Sequence, residues 1–336
     1  MSDDFAKFLF LGAMILIVLV SSRGLVYREA EKFTTARVAL VATEEPPIFV
    51  LEPPQAEKKE ERGKMKEIVP IAVTPPVLSE NTQIVVPKPK VAQEGDTSLP
   101  KVNAASALVA DFNGNIFFEL YGDRRWPVAS ITKLVAAAVV SKNLPMHESV
   151  TIAAEDFPLG TGENGLKEGE RYSVQDLLTA TLMQSSNQAT EALARFYGRE
   201  NFISAMNALA LEWGLKETRF EDPTGLSVVN QSTAEDLAML ARAIYDRHPE
   251  LLEITRRESA TITELDSERK VIINNINLFA GRADFIGGKT GYTDEAGGNL
   301  LSIFSYDNKP VVVVVLGTDD RFGETEKLFN WFRFAH

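Results

Sequence analysis

Three stretches with different hydrophobic patterns follow one another along the chain. Phe8 to Val20 is an unbroken run of apolar residues and one glycine, with Lys7 before it and Ser21, Ser22 and Arg23 after it. A bilayer span needs about 20 apolar residues, and Phe5, Ala6 and Gly24-Leu25-Val26 extend the run toward that length. The pattern predicts a membrane anchor over residues 1–26, embedded through residues 8–22. A signal-peptide core, cleaved beyond Val20 and Ser22, is the competing reading. Residues 27–100 then lose all periodicity. Pro46-Pro47, Pro53-Pro54, Pro75-Pro76, Pro87 and Pro89 punctuate them, and Glu57-Lys58-Lys59-Glu60-Glu61-Arg62 is a mixed charged block. Such a stretch buries too little apolar surface to fold and predicts a disordered tether, with a root-mean-square reach of roughly 50 Å.

Folded patterning begins near Val102. Ala105 to Val109 reads as a strand, Asn113-Gly114 as a hairpin turn, and Ile116 to Leu120 as the returning strand. Helical spacing follows from Ser130, over Val174 to Met183 with Ser173 as cap, over Glu191 to Tyr197, and over Phe202 to Trp213. Thr233 to Tyr245 is a further helix with Ser232 as its N-cap. Strands return over Phe285 to Tyr292, Leu300 to Tyr306 and Val311 to Leu316, with Asp307-Asn308 turning the last pair. Val311 to Val315 is apolar throughout, so it predicts a central strand covered on both faces. A last helix is expected from Glu324 to Phe334. Strands at both ends and helices between them predict an α+β fold, an antiparallel sheet flanked by helices plus an all-helical subdomain, over residues 101–336.

Composition narrows the partners. Of the net charge of −12, −10 falls from residue 101 onward, where 23 Lys and Arg face 33 Asp and Glu. An acidic body argues against a nucleic-acid backbone as partner. The absence of cysteine removes disulfides, thiolate metal sites and a lipidated cysteine anchor.

The candidate chemistry starts at Ser130, three residues before Lys133 and followed by Leu134 to Val140, an apolar helical run. Positions i and i+3 share a helix face, so the hydroxyl and the amine can touch. A neutral amine there can take the hydroxyl proton and make a nucleophile. The same spacing recurs at Ser98/Lys101 and Ser267/Lys270. The first pair encloses Pro100, and the second lies in a charged run with no apolar face. Two further short motifs follow, Ser185-Ser186-Asn187 after one helix and Lys289-Thr290-Gly291 on the first late strand. Alone, these read as a helix-capping loop and as an edge-strand lysine beside a bulge glycine.

Taken in order, the three motifs resemble those of serine penicillin-recognising enzymes. The flanking text Pro127-Val128-Ala129, Gly225-Leu226-Ser227 with Asn230, Ser232-Thr233-Ala234-Glu235-Asp236-Leu237-Ala238, and Tyr292-Thr293 is similar to the low-molecular-weight penicillin-binding proteins, which are D-alanyl-D-alanine carboxypeptidases and endopeptidases. The resemblance covers residues 100 to 336 and leaves out the anchor and tether. Many carboxypeptidases of that family carry a further β-rich C-terminal domain; the expectation here is that it is absent and that membrane attachment has moved to the N-terminus.

The resemblance implies the following roles. Ser130 forms an acyl-enzyme on peptidoglycan stem peptides, and β-lactams acylate the same residue. Lys133 is the base, kept neutral by desolvation and by the nearby Lys289 cation. Ser185 relays a proton to the leaving amine, and Asn187 positions Lys133 or the substrate amide. Lys289 and Thr290 hold the terminal carboxylate, while Gly291 lets the substrate lie alongside as an extra strand. The backbone N–H groups of Ser130 and Tyr292 form the oxyanion hole. No cofactor and no metal ligand set is expected. His147, His248 and His336 lie far from these motifs, which argues against a Ser-His-Asp enzyme. A β-lactamase using Glu221 as an added base, and a non-catalytic peptidoglycan-binding scaffold, are the alternatives. The expected location is the extracytoplasmic face of the cell membrane, or secretion after signal cleavage.

Overall fold

The computed structural model describes residues 99–158 and 165–336. The anchor expected over residues 1–26, and nearly all of the tether, lie outside the described residues.

The elements run in this order. Strands β1 (Ser106–Asp111), β2 (Ile116–Leu120) and β3 (Trp126–Pro127) lead into a 3₁₀ turn at Ala129–Ile131 and helix α1 (Thr132–Asn143). Strands β4 (Ser149–Thr151) and β5 (Arg171–Ser173) precede helices α2 (Val174–Met183), α3 (Asn187–Tyr197) and α4 (Arg199–Glu212). Strand β6 (Gln231–Ser232), helices α5 (Ala234–Arg247) and α6 (Pro249–Thr255), and strands β7 (Ser259–Thr263) and β8 (Lys270–Asn274) follow. The chain ends through β9 (Phe285–Thr293), β10 (Gly297–Tyr306), β11 (Lys309–Thr318) and α7 (Arg321–Ala335).

One antiparallel sheet in the order β2-β1-β11-β10-β9 carries the fold. Strand β11 is its middle member, as its unbroken valine run predicts. Val311, Val313 and Val315 face one apolar cluster, and Val312, Val314 and Leu316 face the other. Each such valine, removed from water, contributes roughly 1.5–3 kcal/mol before conformational entropy is charged against it. The β10–β11 hairpin closes on Asp307 and Asn308, both at positive φ (50° and 60°), the two-residue turn whose twist matches that of the strands. The β1–β2 turn uses Gly114 at φ 90° while Asp111 Oδ1 accepts the backbone N–H groups of Asn113 and Asn115.

Helix α7 covers one face of the sheet through Leu328, Phe329 and Phe332, and the Phe304 and Phe329 rings stack at 4.2 Å. The other face meets a larger cluster built mainly from α1 to α6. Within it α1 is buried on every side from Thr132 to Val140. A helix apolar all round is what a core position demands. The α-helix also begins at Thr132, so Ser130 sits in the preceding 3₁₀ turn. On α5, Thr233 and not Ser232 is the cap, its hydroxyl accepting the Asp236 N–H at 3.0 Å.

Candidate active site

The turn carrying Ser130 is held from three sides. Strand β3 pairs with β6, and the Val128 N–H donates to the Asn230 carbonyl at 3.0 Å. From the sheet, Asn299 donates to the Pro127 carbonyl and Trp126 to the Ala296 carbonyl, each at 2.8 Å. Ala129 takes a positive φ of 48°, an uncommon conformation for a residue with a Cβ. Two glycines close on it. A Cβ on Gly225 would lie 1.9 Å from the Ala129 oxygen, and one on Gly291 would lie 2.8 Å from the Val128 oxygen and 3.2 Å from the Ser130 nitrogen. Strand β9, an outer strand of the sheet, therefore runs with its Lys289-Thr290-Gly291 segment directly against the Ser130 turn.

Lys133 is fully buried. Its Nζ lies 3.0 Å from Ser130 Oγ, 2.7 Å from Asn187 Oδ1 and 2.7 Å from the Thr224 carbonyl oxygen. Burial pulls the amine down to about 7, against smaller upward pulls from the Asp222 and Glu191 carboxylates. Of the two causes expected to keep Lys133 neutral, desolvation is the one that acts; the Lys289 charge is not among the influences on it, which corrects that half of the expectation. The geometry suits both ionisation states. Two of the three partners are carbonyl oxygens, which only accept. A neutral amine spends its two N–H bonds on them and turns its lone pair to the Ser130 hydroxyl. After taking that proton, the ammonium donates to all three.

Ser185 and Asn187 come from the break between α2 and α3. Ser185 adopts a positive φ of 58°. Ser186 caps α3, its Oγ accepting the Ala189 N–H at 3.1 Å, which starts the helix at Asn187. The capping reading of this loop and its chemical reading thus hold together, since the cap aims Asn187 at Lys133. Lys289, also buried, donates to Ser185 Oγ and to the Thr290 carbonyl, each at 2.9 Å. Burial, with the Lys133 and Arg321 cations, holds its amine well below the ordinary lysine range. Thr290 is buried, whereas Tyr292 is exposed with its hydroxyl 3.2 Å from Asp294 Oδ1.

The structure joins Ser130, Lys133 and Asn187 in one hydrogen-bonded group and Ser185 and Lys289 in a second, with Gly291 packed on the first. Three features escaped the sequence reading. The Thr224 carbonyl completes the Lys133 shell. The Asp222 carboxylate organises the loop that carries it. Arg321, at the start of α7, donates to the Gly291 carbonyl at 2.9 Å, and burial pulls its guanidinium down. Among the described residues none of Lys133, Lys289 and Arg321 has a carboxylate within ion-pair distance. Glu221, the base a β-lactamase reading needs, lies 3.9 Å from Arg219 with its side chain 46% exposed.

A serine hydroxyl against a buried lysine amine, beside the free edge of an antiparallel sheet, defines an active-site-serine acyl-transfer enzyme of the α+β class. The sequence model of the D-alanyl-D-alanine carboxypeptidase family matches residues 93–320, and the chain belongs to that family. It is 34% identical over 252 residues to a D-alanyl-D-alanine endopeptidase of Escherichia coli (strain K12), covering 72% of this chain and 81% of that relative. It is 32% identical to D-alanyl-D-alanine carboxypeptidase DacC of the same organism, covering 72% of this chain and 64% of the relative. Among solved structures, the D-alanyl-D-alanine carboxypeptidase from Mycobacterium tuberculosis H37Rv superposes with a TM-score of 0.66 at 28% identity, over 72% of this chain and 95% of that one. Penicillin-binding protein D2 from Listeria monocytogenes, in its ampicillin-bound form, superposes with a TM-score of 0.60 at 30% identity, over 68% and 97%.

Proposed function

We propose that this chain is a serine DD-peptidase that removes the terminal D-alanine from peptidoglycan stem peptides or cleaves D-alanine cross-links between them, and that β-lactams acylate the same serine. The observation that carries the reading is the Lys133 amine, fully buried and depressed to about 7, at 3.0 Å from Ser130 Oγ.

In this reading Lys133 accepts the Ser130 proton as Oγ bonds to the scissile carbonyl carbon. The backbone N–H groups of Ser130 and Tyr292 receive the developing oxyanion. The carbon–nitrogen bond then breaks. Ser185 gives its proton to the departing amine, and the proton Lys133 took from Ser130 makes good that loss, which leaves a neutral lysine beside an ester. Water adds to the ester carbonyl, Lys133 takes its proton, and Ser130 leaves as the alcohol. Asn187 and the Thr224 carbonyl orient Lys133 throughout. Lys289, Thr290 and Arg321 bind the carboxylate next to the departing amine. Among the described residues neither Lys289 nor Arg321 has a carboxylate within ion-pair distance, which supports this, since a substrate carboxylate would be their first anionic partner. The substrate backbone lies along the free edge of β9, where Gly291 has no side chain to obstruct it.

The apolar run at Phe8–Val20 and the proline-rich stretch after it support an organisation of N-terminal anchor, tether and catalytic domain over 101–336, and a peptidoglycan substrate calls for the domain to work outside the cytoplasmic membrane. Signal cleavage and secretion is the alternative. Among the described residues no helix is long and apolar enough to cross a membrane.

The test is covalent labelling with a fluorescent penicillin, followed by mass spectrometry of defined muropeptides. Wild type should be labelled, with slow release, and should convert pentapeptide to tetrapeptide or dimers to monomers. Ser130→Ala should do neither while melting at the wild-type temperature. Rapid turnover of the penicillin would favour a β-lactamase, and an unlabelled wild type a scaffold.

A further inference from the structure

We propose that Asp222 is the positioning residue of this active site: its carboxylate gathers a turn that presents the Thr224 carbonyl to Lys133, and its charge favours the proton that Lys133 takes from Ser130. The proposal rests on the peptidase reading of the site.

The Asp222 side chain accepts an unusual number of bonds. Oδ1 accepts the backbone N–H groups of Thr224 and Gly225, each at 2.7 Å, and the Thr224 hydroxyl at 2.6 Å. Oδ2 accepts the Ser227 N–H at 2.7 Å. These donors lie within five residues of Asp222, so the carboxylate folds the loop around itself. The turn holds Gly225 at φ 86°, packed against the Ala129 carbonyl, and leaves the Thr224 carbonyl 2.7 Å from Lys133 Nζ. Asn230 locks the arrangement to the catalytic helix. Its Oδ1 accepts the Glu221 and Asp222 N–H groups, and its Nδ2 donates to the Asp222 carbonyl and to Thr132 Oγ1 on α1.

The charge argument separates Asp222 from its neighbours. Two carboxylates act on Lys133, Asp222 from this loop and Glu191 from α3. Both oxygens of Glu191 are taken by Arg199, at 2.8 and 3.2 Å, which offsets its charge. Asp222 has no cation within ion-pair distance among the described residues and is met only by N–H and O–H dipoles, although Arg199 feels its charge at longer range. Lys289 on β9 feels the positive charges of both Lys133 and Arg321. Asp222 is therefore the least compensated negative charge acting on the base. An ammonium in a fully buried position is costly without such a charge, and Lys133 becomes one in the step that activates Ser130.

The experiment measures the second-order rate of acylation by a fluorescent penicillin against pH, with thermal melting, for wild type, Asp222→Asn and Asp222→Glu. Asparagine removes the charge and keeps one acceptor oxygen, while its NH₂ group opposes the Ser227 N–H. D222N should acylate at least 10-fold more slowly at its optimum. Its acid limb should move to lower pH by about half a unit or more, because losing a nearby carboxylate favours the neutral amine. D222E should keep the wild-type limb and recover part of the rate. A purely structural role would lower the rate of both variants without separating their limbs. Should D222N melt below the assay temperature, Asp222→Ser takes its place, since a serine hydroxyl can accept one of the turn amides. Limbs that coincide in wild type, D222E and the neutral variant would overturn the proposal and leave the peptidase reading standing. A wild type that no penicillin labels would overturn both.

Discussion

The Nζ of Lys133 lies 2.7 Å from the carbonyl oxygen of Thr224, 91 positions further along the chain. A main-chain carbonyl cannot be protonated or displaced by a rotamer change, so it fixes one lysine N–H permanently. With Asn187 Oδ1 fixing the second at 2.7 Å, the direction of the lone pair is set before substrate arrives. On the proposed peptidase reading, the base is thus oriented by the fold and made basic enough, but not too basic, by burial.

Lys133→Met keeps the length of the side chain and removes its nitrogen. Acylation by penicillin should fall by roughly 10²–10⁴, the range typical of a lost general base. Folding should survive, because the methionine fills the same buried space. The orphaned Asn187 and Thr224 oxygens cost about 1–3 kcal/mol, offset by no longer burying an amine. Fluorescent labelling and a melting curve on one sample check both statements, and near-normal labelling would remove Lys133 from the chemistry.

The depressed Lys133 amine gives two pH signatures. In activity, the ammonium present below about 7 cannot accept the Ser130 proton, so the acylation rate should climb through that pH and level off above it. In stability, the sign follows from proton counting. Between about 7 and the ordinary lysine value of 10.5 the unfolded chain holds a proton that the folded site does not. Unfolding therefore takes up a proton, and stability rises with pH across that window. Wild type minus Lys133→Met, measured by denaturant unfolding at pH 6.5 and 9.5, should isolate this slope. A flat difference would mean that the amine stays charged when folded.

Much of this arrangement is legible in the sequence. The five-strand order is not, but the valine run of β11, the Asp307-Asn308 turn and the Ser173 cap each carry a local signature. So do Ser130, Lys133, Ser185, Asn187 and Lys289, whose side chains carry the chemistry of the proposed peptidase. What stayed hidden lacks a side-chain signature or depends on distant contacts. Thr224 contributes only backbone. Arg321 looks like any helix-start arginine until β9 is laid beside it. The α-helix opens at Thr132 and not at Ser130 because Ala129 is held at positive φ between Gly225 and Gly291, neighbours that only the tertiary fold supplies. The β7–β8 hairpin was missed because Glu264 to Arg269 is a mostly charged connection between two strands with exposed alternate residues.

Gly225→Ala should be the most damaging single methyl in the site. Its Cβ would lie 1.9 Å from the Ala129 oxygen, and φ there is 86°. Backbone strain alone costs about 1–3 kcal/mol, and the loop can relieve the clash only by drawing the Thr224 carbonyl off Lys133. Both melting temperature and acylation rate should fall. Gly291→Ala, whose Cβ would lie 2.8 Å from the Val128 oxygen, stands at the substrate edge. It should lose acylation with a smaller loss of stability. Equal effects on stability and rate in the two variants would contradict this division.

Arg321 separates recognition of the carboxylate from the chemistry. Its guanidinium is half withdrawn from water, donates to the Gly291 carbonyl at 2.9 Å and has no acidic partner among the described residues. Arg321→Gln can keep the bond to Gly291 while deleting the charge. A charge-assisted hydrogen bond contributes about 1.5–3 kcal/mol, so kcat/KM for an acyl-D-Ala-D-Ala peptide should drop roughly 10- to 150-fold. The same peptide ending in an amide has no anion to lose and should be hydrolysed slowly and about equally by wild type and variant. Lys289 is next to the same charge, which makes it the control. Lys289→Ala should depress both substrates, because its Nζ also holds Ser185 at 2.9 Å. If Arg321→Gln slowed the amide as much as the acid, Arg321 would be shaping β9 and not reading the substrate's terminal charge.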